Sequence, residues 1–265
     1  MAIKNLAIFD IDGTLHKTEV MSLASFRVVC AEYALPVPDM QTLYQTYGAN
    51  EQTLMDLLGA PQDEAYRKRF YARIDEEESR QMRLVGQCYE GVLESLRKLR
   101  DADVTLALCS MCSNRYLETF CDHFGLRDEI AFWRTEAWGS DKRLVLADLL
   151  QEAKPERAVM VGDRAYDLLA AEYNGLAFIG CTYGYAPHEI ARANCLISSG
   201  AELAQAVLHA LAPGDGTLPM KDYLKVLSDR GYTGGITPEL WGTTYHHCAE
   251  RAMEKSLAFL RENSL

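Results

Sequence analysis

The chain has 265 residues, 48% of them hydrophobic and 25% charged, which suits one large or two small globular domains and excludes disorder over most of its length. No stretch approaches the roughly eighteen consecutive apolar residues of a membrane span. With 27 Lys and Arg against 38 Asp and Glu, the net charge of −11 argues against nonspecific nucleic-acid binding or docking on an anionic membrane surface.

The first ten residues, MAIKNLAIFD, hold one Lys and a short apolar run with no small-residue cleavage site, so no signal peptide is predicted. Residues 3–9 are short, apolar and β-capable, and read as the first strand. Four helices follow at 22–33, 40–47, 51–58 and 63–81, separated by the breaks PVP, YGAN and GAP. The pattern then changes. Helices at 91–100, 115–124, 141–151 and 166–173 alternate with strands at 104–109, 130–133, 158–161 and 177–179. A short strand at 195–197 precedes a helix at 201–211. Strands alternating with helices of this length imply an α/β fold, a Rossmann-like parallel sheet covered on both faces. The helical block after the first strand reads as an insertion into that sheet domain.

Pro213-Gly214-Asp215-Gly216 marks a boundary. Beyond it the pattern is helix 221–230, strand 235–240 and helix 245–263, a C-terminal αβα extension. The expected domains are therefore a core of residues 1–17 and 87–213, a helical unit at 18–86 and an extension at 214–265. Eight cysteines lie at 30, 88, 109, 112, 121, 181, 195 and 248. Several sit in apolar strand-like runs, so reduced buried thiols and a cytoplasmic location are expected.

The strongest chemical signal is Asp10-Ile11-Asp12-Gly13-Thr14, directly after the first strand. Open α/β sheets place their sites at the carboxyl ends of strands. Two carboxylates there can differ in role, one a nucleophile and the other an acid and base. Gly13 permits a sharp turn. A solvated DG turn is the plain alternative, and the chain carries a control. Asp215-Gly216-Thr217-Leu218 repeats residues 12–15 but follows Pro-Gly instead of a strand, so it reads as a loop.

Gly162-Asp163-Arg164-Ala165-Tyr166-Asp167 follows a second apolar strand. Asp163 and Asp167 supply hard oxygen ligands suited to Mg²⁺, although helix capping also accounts for them. Ser110 ends the strand VTLALC, where its hydroxyl and the turn beginning at Met111 can hold a phosphoryl oxygen, or merely cap a helix. Lys142 opens a helix, an unfavourable place for a cation beside the helix dipole.

In that order, DIDGT, Ser110, Lys142 and GDRAYD resemble the four motifs of the haloacid dehalogenase superfamily, in its phosphoglycolate-phosphatase-like branch. The resemblance covers about residues 1–211 and implies that 18–86 is a helical cap. It implies that Asp10 attacks phosphorus and that Asp12 protonates the leaving oxygen and then activates water. It further implies Mg²⁺ held by Asp10, Asp12 through its carbonyl, Asp163 and Asp167, with Ser110 and Lys142 on the phosphoryl oxygens. Gly13, Thr14 and Met111 line the same phosphate-binding region. The implied activity is Mg²⁺-dependent hydrolysis of a small phosphorylated metabolite. Asp12 separates the chain from dehalogenases, and Thr14 favours hydrolysis over a phosphomutase reaction. Lys142-Arg143 replaces the branch's usual Lys-Pro, and Leu15-His16-Lys17-Thr18 replaces its acid–Ser ending, which weakens assignment to phosphoglycolate itself.

Tyr47-Gly48-Ala49-Asn50 lies where relatives carry a specificity loop, so Tyr47 and Gly48 are substrate-binding candidates, against the reading of a Gly helix stop and an Asn cap. His16 and Lys17 sit at the core–cap hinge, either facing the leaving group or solvated. Cys109-Ser110-Met111-Cys112 has redox spacing, but its first thiol ends a buried strand. His246-His247-Cys248 lacks partners for a metal site. The acidic run at 75–78 reads as a solvated helix face. The extension is similar to the last strand and flanking helices of xylose-isomerase-like barrels, with Glu239 at the metal-ligand position; some fifty residues cannot form such a barrel. Self-association through this extension, or a non-catalytic binding role, is the alternative of a different class.

Overall fold

The computed structural model describes residues 3–47, 51–61, 63–211, 220–235 and 249–263. Six strands form one sheet: β1 (Asn5–Phe9), β2 (Thr105–Cys109), β3 (Ile130–Arg134), β4 (Arg157–Gly162), β5 (Ala177–Cys181) and β6 (Cys195–Ile197). Their order is β3-β2-β1-β4-β5-β6 and every pair is parallel. The expected α/β fold class is therefore observed, with β1 at the centre.

Strand alternation explains why both faces are covered. Ala7 and Phe9 of β1 point into an apolar cluster with Leu106, Leu108, Val159 and Val161. Leu6 and Ile8 point the opposite way, into a second cluster with Ala107, Met160 and Phe178. Helices α5 (Val92–Asp101), α6 (Asn114–Phe124) and α9 (Leu203–Ala210) supply the first face, and α7 (Lys142–Ala153) and α8 (Ala165–Tyr173) the second. Full burial of a side chain such as Phe9 is worth roughly 2–3 kcal/mol.

Helices α1 (Glu19–Glu32), α2 (Met40–Thr46), α3 (Glu51–Leu57) and α4 (Glu64–Val85) lie between β1 and α5. They enclose a third cluster, including Phe26, Val29, Leu43, Phe70 and Ile74. The helix α4 runs four residues past its expected end, until Gly86 caps it. Two linkers carry the chain into and out of these helices. They pair with each other: the Lys17 amide donates to the Gln87 carbonyl at 2.8 Å and the Tyr89 amide to the Leu15 carbonyl at 3.1 Å.

In the extension, α10 (Met220–Asp229) and α11 (Ala249–Asn263) are present, and α11 packs on α9 and α10. The expected strand lies outside the described residues apart from Gly235, as do Glu239, His246, His247 and Cys248. Among the described residues all seven cysteines are free thiols: Cys30, Cys109, Cys121 and Cys181 are buried, and Cys88, Cys112 and Cys195 partly so. Among the described residues, no helix is long and apolar enough to cross a membrane.

Candidate active site

Parallel strands bring their carboxyl ends to one edge of the sheet, and the register decides what meets there. Phe9 is level with both Leu108 and Val161. Asp10, Ser110 and Asp163 therefore emerge side by side from three adjacent strands. The Asp10 amide donates to the Val161 carbonyl at 3.0 Å, and the Ser110 amide to the Arg134 carbonyl at 3.1 Å. Asp10 and Ser110 are thus held by backbone bonds that continue the sheet ladder.

Asp10, Asp163 and Asp167 are all buried, and each offers an oxygen within 4.8 Å of the others. Two turn glycines make room for this cluster. A Cβ on Gly13, whose φ is +76°, would stand 2.4 Å from Asp163 Oδ2. A Cβ on Gly162 would meet Asp167 Cγ at 2.3 Å. Only glycine fits either position.

Lys142 is the one cation among these acids and is 7% exposed. It is the first residue of α7, after the cap Asp141. Its Nζ donates to Asp10 Oδ1 at 2.6 Å and forms an ion pair with Asp167 Oδ1 at 2.5 Å. Burial disfavours its charge, but Asp10 and Asp167 more than offset this and hold the ammonium above its usual range. The apparent mismatch with the helix dipole is resolved by these two carboxylates.

Burial raises the Asp10 carboxyl, while Lys142 opposes and Asp12 adds to the rise. The nearby Ser110 hydroxyl also opposes the rise. Burial also lifts Asp167 to about 6, against the pull of Lys142. The Asp163 carboxyl is driven well above its ordinary range by burial and then by its two acidic neighbours. It accepts the Tyr185 amide at 2.7 Å and the Thr14 hydroxyl at 3.4 Å. Asp167 accepts the Arg164 amide at 3.0 Å, so it caps α8 and joins the cluster at once. Three buried carboxylates sharing one ammonium form an all-oxygen donor set with excess negative charge, which fits a hard divalent cation.

Asp12 faces a different environment. Its Oδ1 accepts the Thr18 and Tyr116 hydroxyls, both at 2.5 Å. Burial raises its carboxyl, and these two hydrogen bonds oppose the rise. Neither partner was expected from the sequence; only Ser113, which caps α6 through the Tyr116 amide, marked that turn locally. Asp12 also lines an open cleft of about 640 Å³ between the sheet edge and the α1–α4 helices. Of the substrate-binding candidates, Met111 and Tyr47 line it too, and Gly48 lies outside the described residues.

His16 corrects its expectation. It is fully buried and absent from the cleft lining. Its ring packs edge-on against Tyr116, Phe120 and Phe124, and Nδ1 lies 3.1 Å from the Tyr116 hydroxyl. Burial holds it neutral, with a pKa near about 3. It supports Tyr116, which in turn holds Asp12. The neighbouring Lys17 ammonium lies 5.6 Å over the Tyr89 ring.

The acidic run is a second correction. Only Glu76 is exposed. Glu77 is buried under Arg73, Arg80 and Gln81. Asp75 and Glu78, one helical turn apart on α4, face the cleft. Burial, then Asp12 and Asp75, raises Glu78 to about 8. The redox reading of Cys109 and Cys112 also meets the wrong environment: burial pushes Cys109 up to about 12 and Cys112 well above its usual range.

A family model described as haloacid dehalogenase-like hydrolase matches residues 7–181. The chain belongs to the haloacid dehalogenase-like hydrolase family. The match spans β1 to β5, including every strand end that carries the cluster. The chain is 30% identical over 190 residues to the tyrosine-protein kinase PtkA of Mycobacterium tuberculosis, covering 68% of this chain and 62% of that protein's length. It is 27% identical over 194 residues to the phosphoglycolate phosphatase of Agrobacterium fabrum, covering 68% of this chain and 81% of the relative. Among solved structures, CbbY from Rhodobacter sphaeroides in complex with phosphate aligns with a TM-score of 0.68 at 23% identity, over 76% of this chain and 96% of that one. That likeness shows a shared fold over about three quarters of this chain.

Proposed function

We propose that this haloacid dehalogenase-like hydrolase is a phosphatase that cleaves a small phosphomonoester through an aspartyl-phosphate on Asp10. The observation that carries this reading is the buried group of Asp10, Asp163 and Asp167 around Lys142, with Asp12 beside it on the open cleft. The similarity to a phosphoglycolate phosphatase supports it.

In the first step an Asp10 oxygen forms a bond to phosphorus. The bond to the leaving oxygen breaks, and that oxygen takes a proton from Asp12. In the second step Asp12 takes a proton from water as the water oxygen attacks phosphorus. The Asp10–phosphorus bond breaks, and inorganic phosphate and both starting carboxyl groups are restored in number. Asp12 suits this double role because its two hydroxyl partners converge on Oδ1, which leaves Oδ2 to exchange the proton. Ser110, the turn at Met111 and Lys142 bind the phosphoryl oxygens, and Gly13 and Thr14 shape the same edge.

Asp10, Asp163 and Asp167, with the Asp12 carbonyl, would hold Mg²⁺. That ion would compensate the charge of the phosphoryl group. Helices α1–α4, within the unit 18–86, act as the cap over the core of 1–17 and 87–213, and Tyr47 belongs to its substrate-facing wall. Among the described residues of the extension 214–265, none lines the acidic cluster or the cleft.

The test is phosphate release from a panel of phosphomonoesters, with Mg²⁺ and with chelator. Release that needs Mg²⁺ and falls at least about a thousandfold in Asp10→Asn is expected. Full activity in that variant overturns the mechanism. Recovery of an isomeric phosphate ester in place of free phosphate would indicate a phosphomutase.

A further inference from the structure

The cleft next to Asp12 has an unusual wall for an enzyme of anionic substrates. Its described lining includes three acids, Asp12, Asp75 and Glu78, and no Lys, Arg or His. Four aromatic rings, Phe26, Tyr47, Tyr71 and Tyr116, complete much of the rest. Carboxylates interleaved with ring faces are the surroundings that favour an ammonium group, through direct charge pairing and cation–π attraction.

Tyr47 adds an independent sign of a ligand. It is 7% exposed, yet its hydroxyl has no aligned hydrogen-bond partner. Ser22 lies beside it without satisfying that geometry. A buried hydroxyl in this state is destabilising unless something in the cleft pairs with it.

Of the nearby cations, Lys142 and Arg164 are committed elsewhere and Arg115 reaches a cleft acid from outside the lining. Lys142 is held by Asp10 and Asp167 on the phosphoryl side. Arg164 turns away to Glu189 and to the Tyr47 carbonyl. Arg115 approaches Asp75 only at 3.6 Å, from a side chain 55% exposed. Asp75 keeps a hydrogen bond from the Ser113 hydroxyl, and Tyr71 donates to Glu136 at 3.2 Å, which adds a further acid behind the wall. The one lysine of the site therefore stands where the phosphoryl group would sit, and the described lining where the leaving alcohol would extend holds acids alone as its charged groups.

We propose that the cleft between Asp12 and α4 selects a leaving alcohol bearing a cationic amino group, so that the preferred substrates are aminoalkyl phosphates. This rests on the phosphatase reading above. An arriving ammonium offsets the burial that keeps the proton on Glu78, so Glu78 releases that proton to solvent and pairs with the ammonium alongside Asp75, while Tyr47 and Tyr71 close around it. A carboxylate at the same place, as in phosphoglycolate, meets acids with no cation to receive it.

The test compares kcat/KM, with Mg²⁺, for alkyl phosphates of two to four carbons that differ only in their end group: amino, hydroxyl or carboxylate. p-Nitrophenyl phosphate serves as a reference substrate. At the best length the amino compound is expected to exceed its hydroxyl analogue by about tenfold, and the carboxylate to fall below both. Glu78→Gln and Asp75→Asn are each expected to shrink the amino-to-hydroxyl ratio at least about threefold. A carboxylate turned over as well as the amine, or a ratio unmoved in both variants, overturns the selectivity and leaves the phosphatase reading standing. Absence of phosphate release from every compound, the reference included, overturns the phosphatase reading itself.

Discussion

Replacing Asp167 by Asn is expected to stabilise the metal-free protein at alkaline pH. Asp167 is almost fully buried, and burial raises its carboxyl to about 6 from 3.8, with Lys142 opposing and Asp10 reinforcing the shift. A carboxyl raised in the fold keeps its proton where the unfolded chain has lost it. Its cost is therefore absent below pH 4, grows between pH 4 and 6, and is complete above. Two pH units correspond to about 3 kcal/mol. Asn retains an oxygen to accept the Arg164 amide and removes the charge, while Lys142 keeps Asp10. The expected gain is up to about 3 kcal/mol, or roughly 5–10 °C in Tm for a chain of this size. Thermal unfolding in chelator at pH 4 and pH 8 measures it. The variant should melt higher at pH 8 and level with wild type at pH 4, and Mg²⁺ should raise the wild-type Tm more than the variant's. A variant that melts lower at pH 8, or an equal gap at both pH values, refutes the claim that this acid is held against its own stability.

Gly162→Ala should disturb the site from the backbone outward, because the new Cβ would lie 2.3 Å from Asp167 Cγ; a loss of about 1–3 kcal/mol in denaturant unfolding is expected, together with weaker Mg²⁺ binding by calorimetry. Tyr116→Phe removes a hydrogen bond that lowers the Asp12 carboxyl. The alkaline limb of the kcat/KM profile should move to higher pH, and an unmoved limb would separate Tyr116 from proton transfer. His16, held near about 3 by burial, resists the proton that the unfolded chain takes up below 6.5. Stability should therefore decline as pH falls from 6.5 toward 3. His16→Phe should flatten that decline, as read by acid titration of circular dichroism.

The strand-end acids were legible because their signal is local. An apolar run, an acid, and then Gly13 or a helix start can be read within ten residues, and DIDGT and GDRAYD both landed on the edge of one sheet. Lys142 was legible through a local conflict with its helix, which its two carboxylates settle. Tyr116 was not legible, because it meets Asp12 across 104 residues and nothing near Tyr116 marks it as a partner. The acidic run misled for a related reason. Charge predicts solvent only when nothing else packs on that face of α4, and here α6 and the turn before it do.

By itself the amino-acid sequence determined the alternation of strands and helices, the insertion after β1 and the identity of the acids and the lysine. Those properties follow from hydrophobic period and from residues adjacent along the chain. The tertiary structure alone decided what those residues face. It placed His16 beneath Tyr116 instead of before the substrate, turned Asp75 and Glu78 into the cleft, and put no Lys, Arg or His among the described residues that line it. Orientation of this kind depends on which helices pack together, and packing is settled by surfaces far apart in sequence.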